Sequence, residues 1–118
     1  MTHKEYLKRF EKYQKLCYNI TKAKNQDYSS WNNAFLNFKL VEEVGIATTE
    51  QWFLTRMMDK ITRINNLLNK EASVKDETIQ DTLLDLANYS LLLLIYLDEK
   101  QTPEYNLDED VRICQWKV

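Results

Sequence analysis

The chain has 118 residues with one glycine and one proline, and 29% of it is charged against 44% hydrophobic. That length supports one domain, residues 1–118, and so few turn formers exclude a sheet of tight hairpins in favour of helices. A net charge of −2 argues against a nucleic-acid surface, and the single histidine, His3, leaves no histidine triad and no histidine-held zinc.

From Lys4 to about Ala23, the residues Tyr6, Phe10, Tyr13, Cys17 and Ile20 recur at four-then-three spacing, with Leu7 and Leu16 alongside. They form the apolar face of an amphipathic helix whose other sides are rich in lysine. Lys24, Asn25, Asp27 and Tyr28 then read as a polar loop. Ser30 is placed to cap a second helix from Asn33 to about Val44, with Phe35, Phe38 and Val41 inward, and Gly45 stands where its C-terminus needs a glycine. Thr48 and Gln51 have the spacing of a capping box for a third helix, whose expected core face is Leu54, Met57, Met58, Ile61, Ile64 and Leu68.

A polar linker, Asn69 to Lys75, leads to Asp76 as the expected cap of the last long helix. Along that helix Glu77, Asp81, Asp85 and Asn88 fall on one stripe at about 3.6 residues per turn. The other directions are mostly Leu, Ile, Ala or Tyr, so burial nearly all round is expected. The Leu83–Leu97 run is too short to span a bilayer and is interrupted by Asp85, Asn88 and Ser90. With no apolar leader, the expectation is a cytoplasmic protein without a membrane partner, its Cys17 and Cys114 being reduced thiols. Residues 103–118, after Pro103, form a short C-terminal extension that patterns as a helix or a short strand.

Carboxylates buried along one edge need a metal ion, a cationic side chain or a water-filled cleft. A mostly basic stripe, Arg56, Asp59, Lys60 and Arg63, lies on the third helix, which an antiparallel bundle sets beside the acidic one. One reading pairs the two stripes as interhelical salt bridges in a purely structural oligomer. The other opens a cleft between them. There the acids share an oxygen-bound cation, Mg²⁺ or Mn²⁺, while Arg56, Lys60 and Arg63 clamp phosphates. Asn25, Asn88 and an aromatic such as Trp31 or Tyr28 would then read a base.

Four ordered motifs sharpen the choice. These are Lys24-Asn25-x-Asp27-Tyr28; Asn37-Phe38-x-x-Val41-Glu42-x-x-Gly45-Ile46; Arg56-x-x-Asp59-Lys60-x-x-Arg63; and Val74-x-Asp76-Glu77-Thr78-x-x-Asp81-Thr82-x-x-Asp85-Leu86-Ala87-x-Tyr89. Over about residues 24–97 they resemble the phage-associated nucleotide modification associated family, itself similar to the MazG-like, all-α nucleoside triphosphate pyrophosphatases. The resemblance implies an all-α, antiparallel four-helix-type bundle, dimeric or tetrameric, whose site a partner subunit helps complete. It implies Mg²⁺-dependent hydrolysis of a nucleoside triphosphate to monophosphate and pyrophosphate, in the host cytoplasm if a phage encodes the chain. Glu77, Asp81 and Asp85 would then be catalytic and, with Asp59, metal ligands, with Glu42 close by. Lys24, Asn25, Asp27, Tyr28, Arg56, Lys60, Arg63 and Asn88 would bind substrate. Where MazG-type enzymes carry Glu-Glu-x-x-Glu, this chain reads Asp59-Lys60-Ile61-Thr62-Arg63, with cations at two of the acid positions. That suits direct grip on phosphate, and the alternative function is a non-catalytic protein that binds and sequesters a nucleotide.

Overall fold

A computed structural model describes residues 1–28, 36–70 and 78–101, with side chains at all of these except 27, 28, 36, 37 and 101. The helices are α1 (His3–Tyr28), α2 (Leu36–Glu43), α3 (Thr49–Leu67) and α4 (Ile79–Gln101), and the described residues contain no strand. The all-α class is therefore as the composition requires. Ser30, Trp31, Phe35, Asp76, Glu77, Cys114 and the 103–118 extension lie outside the described residues.

Local chemistry explains where the helices begin and end. Thr48 and Gln51 form the capping box, each side chain accepting the other residue's backbone N–H at 3.1 and 2.9 Å. Gly45 has φ of +78°, which frees Ile46 N–H to reach the Val41 carbonyl and Gly45 N–H to reach that of Glu42. This is the Schellman closure that a left-handed residue permits, and it ends α2. At the start of α1, Thr2 and Glu5 exchange the same reciprocal pair of bonds.

The core is aromatic and small. Phe53 is fully buried and Tyr96 is 5% exposed. Phe38, Trp52, Tyr89, Leu92 and Leu93 pack around them, so one cluster joins α2, α3 and α4. Ring centroids from Phe53 stand 5.3 Å from Phe38, 5.1 Å from Trp52, 6.4 Å from Tyr89 and 6.3 Å from Tyr96. Such tilted and edge-on pairs add about 0.5–1.5 kcal/mol each beyond area burial. Cys17, also buried and free, is the residue of α1's apolar stripe that is closed off from solvent.

Three expectations are corrected. The Lys24–Tyr28 segment is not a loop but the last turns of α1, because none of its residues is Gly or Pro and nothing there stops the helix. The face of α3 expected in the core is largely outside: Leu54, Met58, Ile61 and Leu68 are exposed, while Phe53, Trp52, Arg56 and Lys60 turn inward. Nor is α4 buried all round, since Leu83, Leu91, Leu94 and Ile95 are exposed. No described helix is long and apolar enough to cross a membrane.

Candidate functional site

A cleft of about 430 Å³ opens between the C-terminal turns of α1 and the α3–α4 pair. Volumes of this order hold small-molecule ligands. One wall is aromatic, from Phe38, Trp52 and Tyr89; the polar groups are Lys24, Asn25, Arg56, Asp85 and Asn88. The antiparallel pairing of α3 and α4 sets this up. Arg56 meets Tyr89 and Arg63 meets Thr82, so the basic stripe of α3 runs along the acidic helix.

Asp85 is the centre of the ionic part. Its Oδ1 lies 3.2 Å from Lys24 Nζ on α1, and its Oδ2 lies 3.2 Å from Lys60 Nζ on α3. Lys60 and Asp85 are mostly shielded, whereas the Lys24 side chain is 59% exposed. Arg56 Nε donates to the Tyr89 hydroxyl at 3.4 Å, and its guanidinium lies 6.0 Å from that ring's centre. That hydrogen bond, ahead of the pull of Asp59 and Asp85, raises the Arg56 pKa further above its ordinary value. Asp59, on α3, is exposed and pairs with Arg56 at 3.6 Å.

Asp81 has a different place. Thr78 N–H and hydroxyl donate to its Oδ2 at 3.1 and 2.7 Å, and Asp81 N–H donates to Thr78 Oγ1 at 3.2 Å. This is a capping box that starts α4 with Thr78, not Asp76, in the capping position. The Thr78 hydroxyl first, then its N–H, holds the Asp81 carboxyl below its usual pKa. A depressed acid stabilises the fold above its unfolded-state pKa, near 3.9, and that contribution is lost as pH falls through the folded-state value. Denaturation of wild type and Asp81→Asn should therefore show wild type more stable near pH 7, with the gap closing toward pH 2. A gap that does not change with pH contradicts this cap.

Of the residues expected to bind substrate, the cleft gathers Lys24, Asn25, Arg56 and Asn88, with Lys60 behind Asp85. Arg63 lies farther along α3, its Nε donating to Thr82 at 3.3 Å. Asp27 and Tyr28 end α1, and their side chains lie outside the described residues. Glu42 accepts from the Thr49 hydroxyl at 2.9 Å. Thr49 in turn bonds Tyr96, roughly 16 Å along α4 from Asp85 at 1.5 Å per residue.

Among the described residues no three acidic, cysteine or histidine side chains gather as a metal-holding group. Asp59 faces Arg56, Asp81 faces Thr78 and Asp85 faces two lysines, so these three described carboxylates do not converge on one point, and Glu77, the fourth expected ligand, lies outside the described residues. Phe38, Trp52, Tyr89, Thr21 and Leu92 complete the cleft and were not anticipated as lining. A signal existed for Trp52, which stands one turn before Arg56 and so shares its face.

Fold and site together define an all-helical domain with a cationic, aromatic-walled cleft. The chain belongs to the family described as Nucleotide modification associated domain 1, whose profile matches residues 24–97. Every residue lining the cleft falls within that match except Thr21. No curated protein and no solved structure matches the chain.

Proposed function

We propose that the chain binds a nucleotide in this cleft. The supporting observation is the convergence of three aromatic rings, two carboxamides and two cations in one cavity of nucleotide-compatible size. In this reading the base stacks on Trp52 and Tyr89, which is worth about 1–3 kcal/mol per base. Asn25 and Asn88 hydrogen-bond the base edge, and the phosphates lie toward Lys24, Arg56 and Lys60, with Arg63 beyond. Binding to the native state alone raises the melting temperature. A thermal-shift panel of nucleotides should give a positive shift for at least one base, and no shift with any of them contradicts the proposal.

Since the described carboxylates do not converge, Mg²⁺ or Mn²⁺ enters this reading as an ion brought by the nucleotide's own phosphates. Running the panel with and without Mg²⁺ measures that contribution. A second reading, hydrolysis of a nucleoside triphosphate to monophosphate and pyrophosphate as the motif resemblance to MazG-like enzymes implies, is favoured by Asp85 lining the same cleft as Arg56. Pyrophosphate release assigns the enzyme; saturable binding without turnover assigns the sequestering protein.

The oligomer belongs to the same reading. Tyr6, Phe10 and Tyr13 continue the stripe that Cys17 buries, yet they are 54%, 55% and 49% exposed. Leu54, Met58 and Ile61 on α3 are likewise exposed and share one helix face, and exposed apolar faces of this kind are where subunits meet. A second copy of the chain covers them.

A further inference from the structure

We infer that Asp85 stands in for a ligand's phosphate, occupying the phosphate position until the ligand displaces it; this rests on reading the cleft as a nucleotide site. The two oxygens of one carboxylate each hold a different ammonium group at 3.2 Å, one from α1 and one from α3. Two oxygens of a phosphate can make the same pair of charge-assisted contacts. Asp85 and Lys24 line the cleft, whereas Lys60 does not and is 20% exposed behind Asp85. A ligand held in the cleft meets Asp85 before Lys60, so it reaches Lys60 by displacing the Asp85 side chain.

Lys60 sits where an unpaired charge is costly, and swapping one anion for another never leaves it bare. Among the described residues Lys24, Lys60 and Arg56 outnumber Asp85 and Asp59, a positive surplus for a phosphate to neutralise. A carboxylate acting as a stand-in opposes anion binding, whereas one acting as a metal ligand promotes it. The two roles predict opposite signs for the same substitution.

The test is calorimetric titration, with chelator present, of deoxynucleoside monophosphates, of the corresponding deoxynucleosides and of inorganic pyrophosphate into wild type, Asp85→Asn and Lys24→Met. Removing a unit charge about 4 Å from the phosphate should tighten binding to Asp85→Asn roughly fivefold. Lys24→Met, which alters a mostly exposed side chain, should weaken the monophosphate and leave the phosphate-free nucleoside unchanged. If wild type binds monophosphate and Asp85→Asn binds it equally or more weakly, the stand-in role is overturned while the nucleotide site survives. Unchanged monophosphate affinity in Lys24→Met overturns it even if Asp85→Asn does not fold. If no nucleotide or nucleoside binds but pyrophosphate does, and more tightly to Asp85→Asn, the stand-in role holds and the nucleotide reading fails.

Discussion

Phe53→Ala should destabilise the protein by about 3–5 kcal/mol, the range for truncating a buried aromatic. Phe53 is fully buried and packs against Phe38 of α2, Trp52 of α3, and Tyr89 and Tyr96 of α4. The described core holds few other buried apolar side chains to share the loss, and domains of this size have only about 5–15 kcal/mol to lose. Three of the partners, Phe38, Trp52 and Tyr89, are also cleft wall, so nucleotide affinity should fall along with stability. Urea denaturation measures the first effect and titration of the folded fraction the second. A cost below about 1 kcal/mol, typical of surface substitutions rather than cavities, contradicts the aromatic cluster as the core.

The second large effect concerns assembly. Leu54, Met58 and Ile61 are 58%, 59% and 47% exposed and follow one another at helical spacing on the face of α3 away from the cleft. If a second copy covers this face, wild type sediments as an oligomer and its melting temperature rises with protein concentration. Ile61→Glu places an ionised carboxylate in that interface, where an unpaired charge costs several kcal/mol. The variant should sediment at the mass of one chain with a melting temperature independent of concentration. Wild type that is monomeric at every concentration, or an Ile61→Glu variant that assembles as wild type does, contradicts a covered face.

The end of α2 and the start of α3 were the most legible parts of this sequence because their caps are local. Thr48 with Gln51, and Gly45 after α2, act within a few residues of themselves and need no tertiary partner. The Thr78-x-x-Asp81 box was equally readable, but an acid on a stripe with Glu77 and Asp85 invites a metal reading first. Direction was harder. Periodicity shows that Leu54, Met58 and Ile61 share a face, but not whether their own chain or another subunit covers it. The inward side of α3 carries Arg56 and Lys60 because Tyr89 and Asp85 of α4 supply their partners. Lys60 was recognisable as belonging to a stripe beside the acidic helix. Lys24, 61 residues from Asp85 in sequence, was legible as a loop residue and, through the motif resemblance, as a substrate-binding one, but its pairing with Asp85 comes from the fold alone.

Calorimetric titration of a panel of deoxynucleotides into wild type and Trp52→Ala tests the central claim most directly, with Arg56→Ala as a companion at a partly exposed position. Wild type should bind at least one nucleotide saturably, with affinity reduced by about 1–3 kcal/mol in Trp52→Ala, the worth of a stacked base. Arg56→Ala should lose affinity for the nucleotide but not for the nucleoside. Absence of binding by wild type, or binding that neither substitution changes in a folded protein, would contradict a nucleotide site in this cleft.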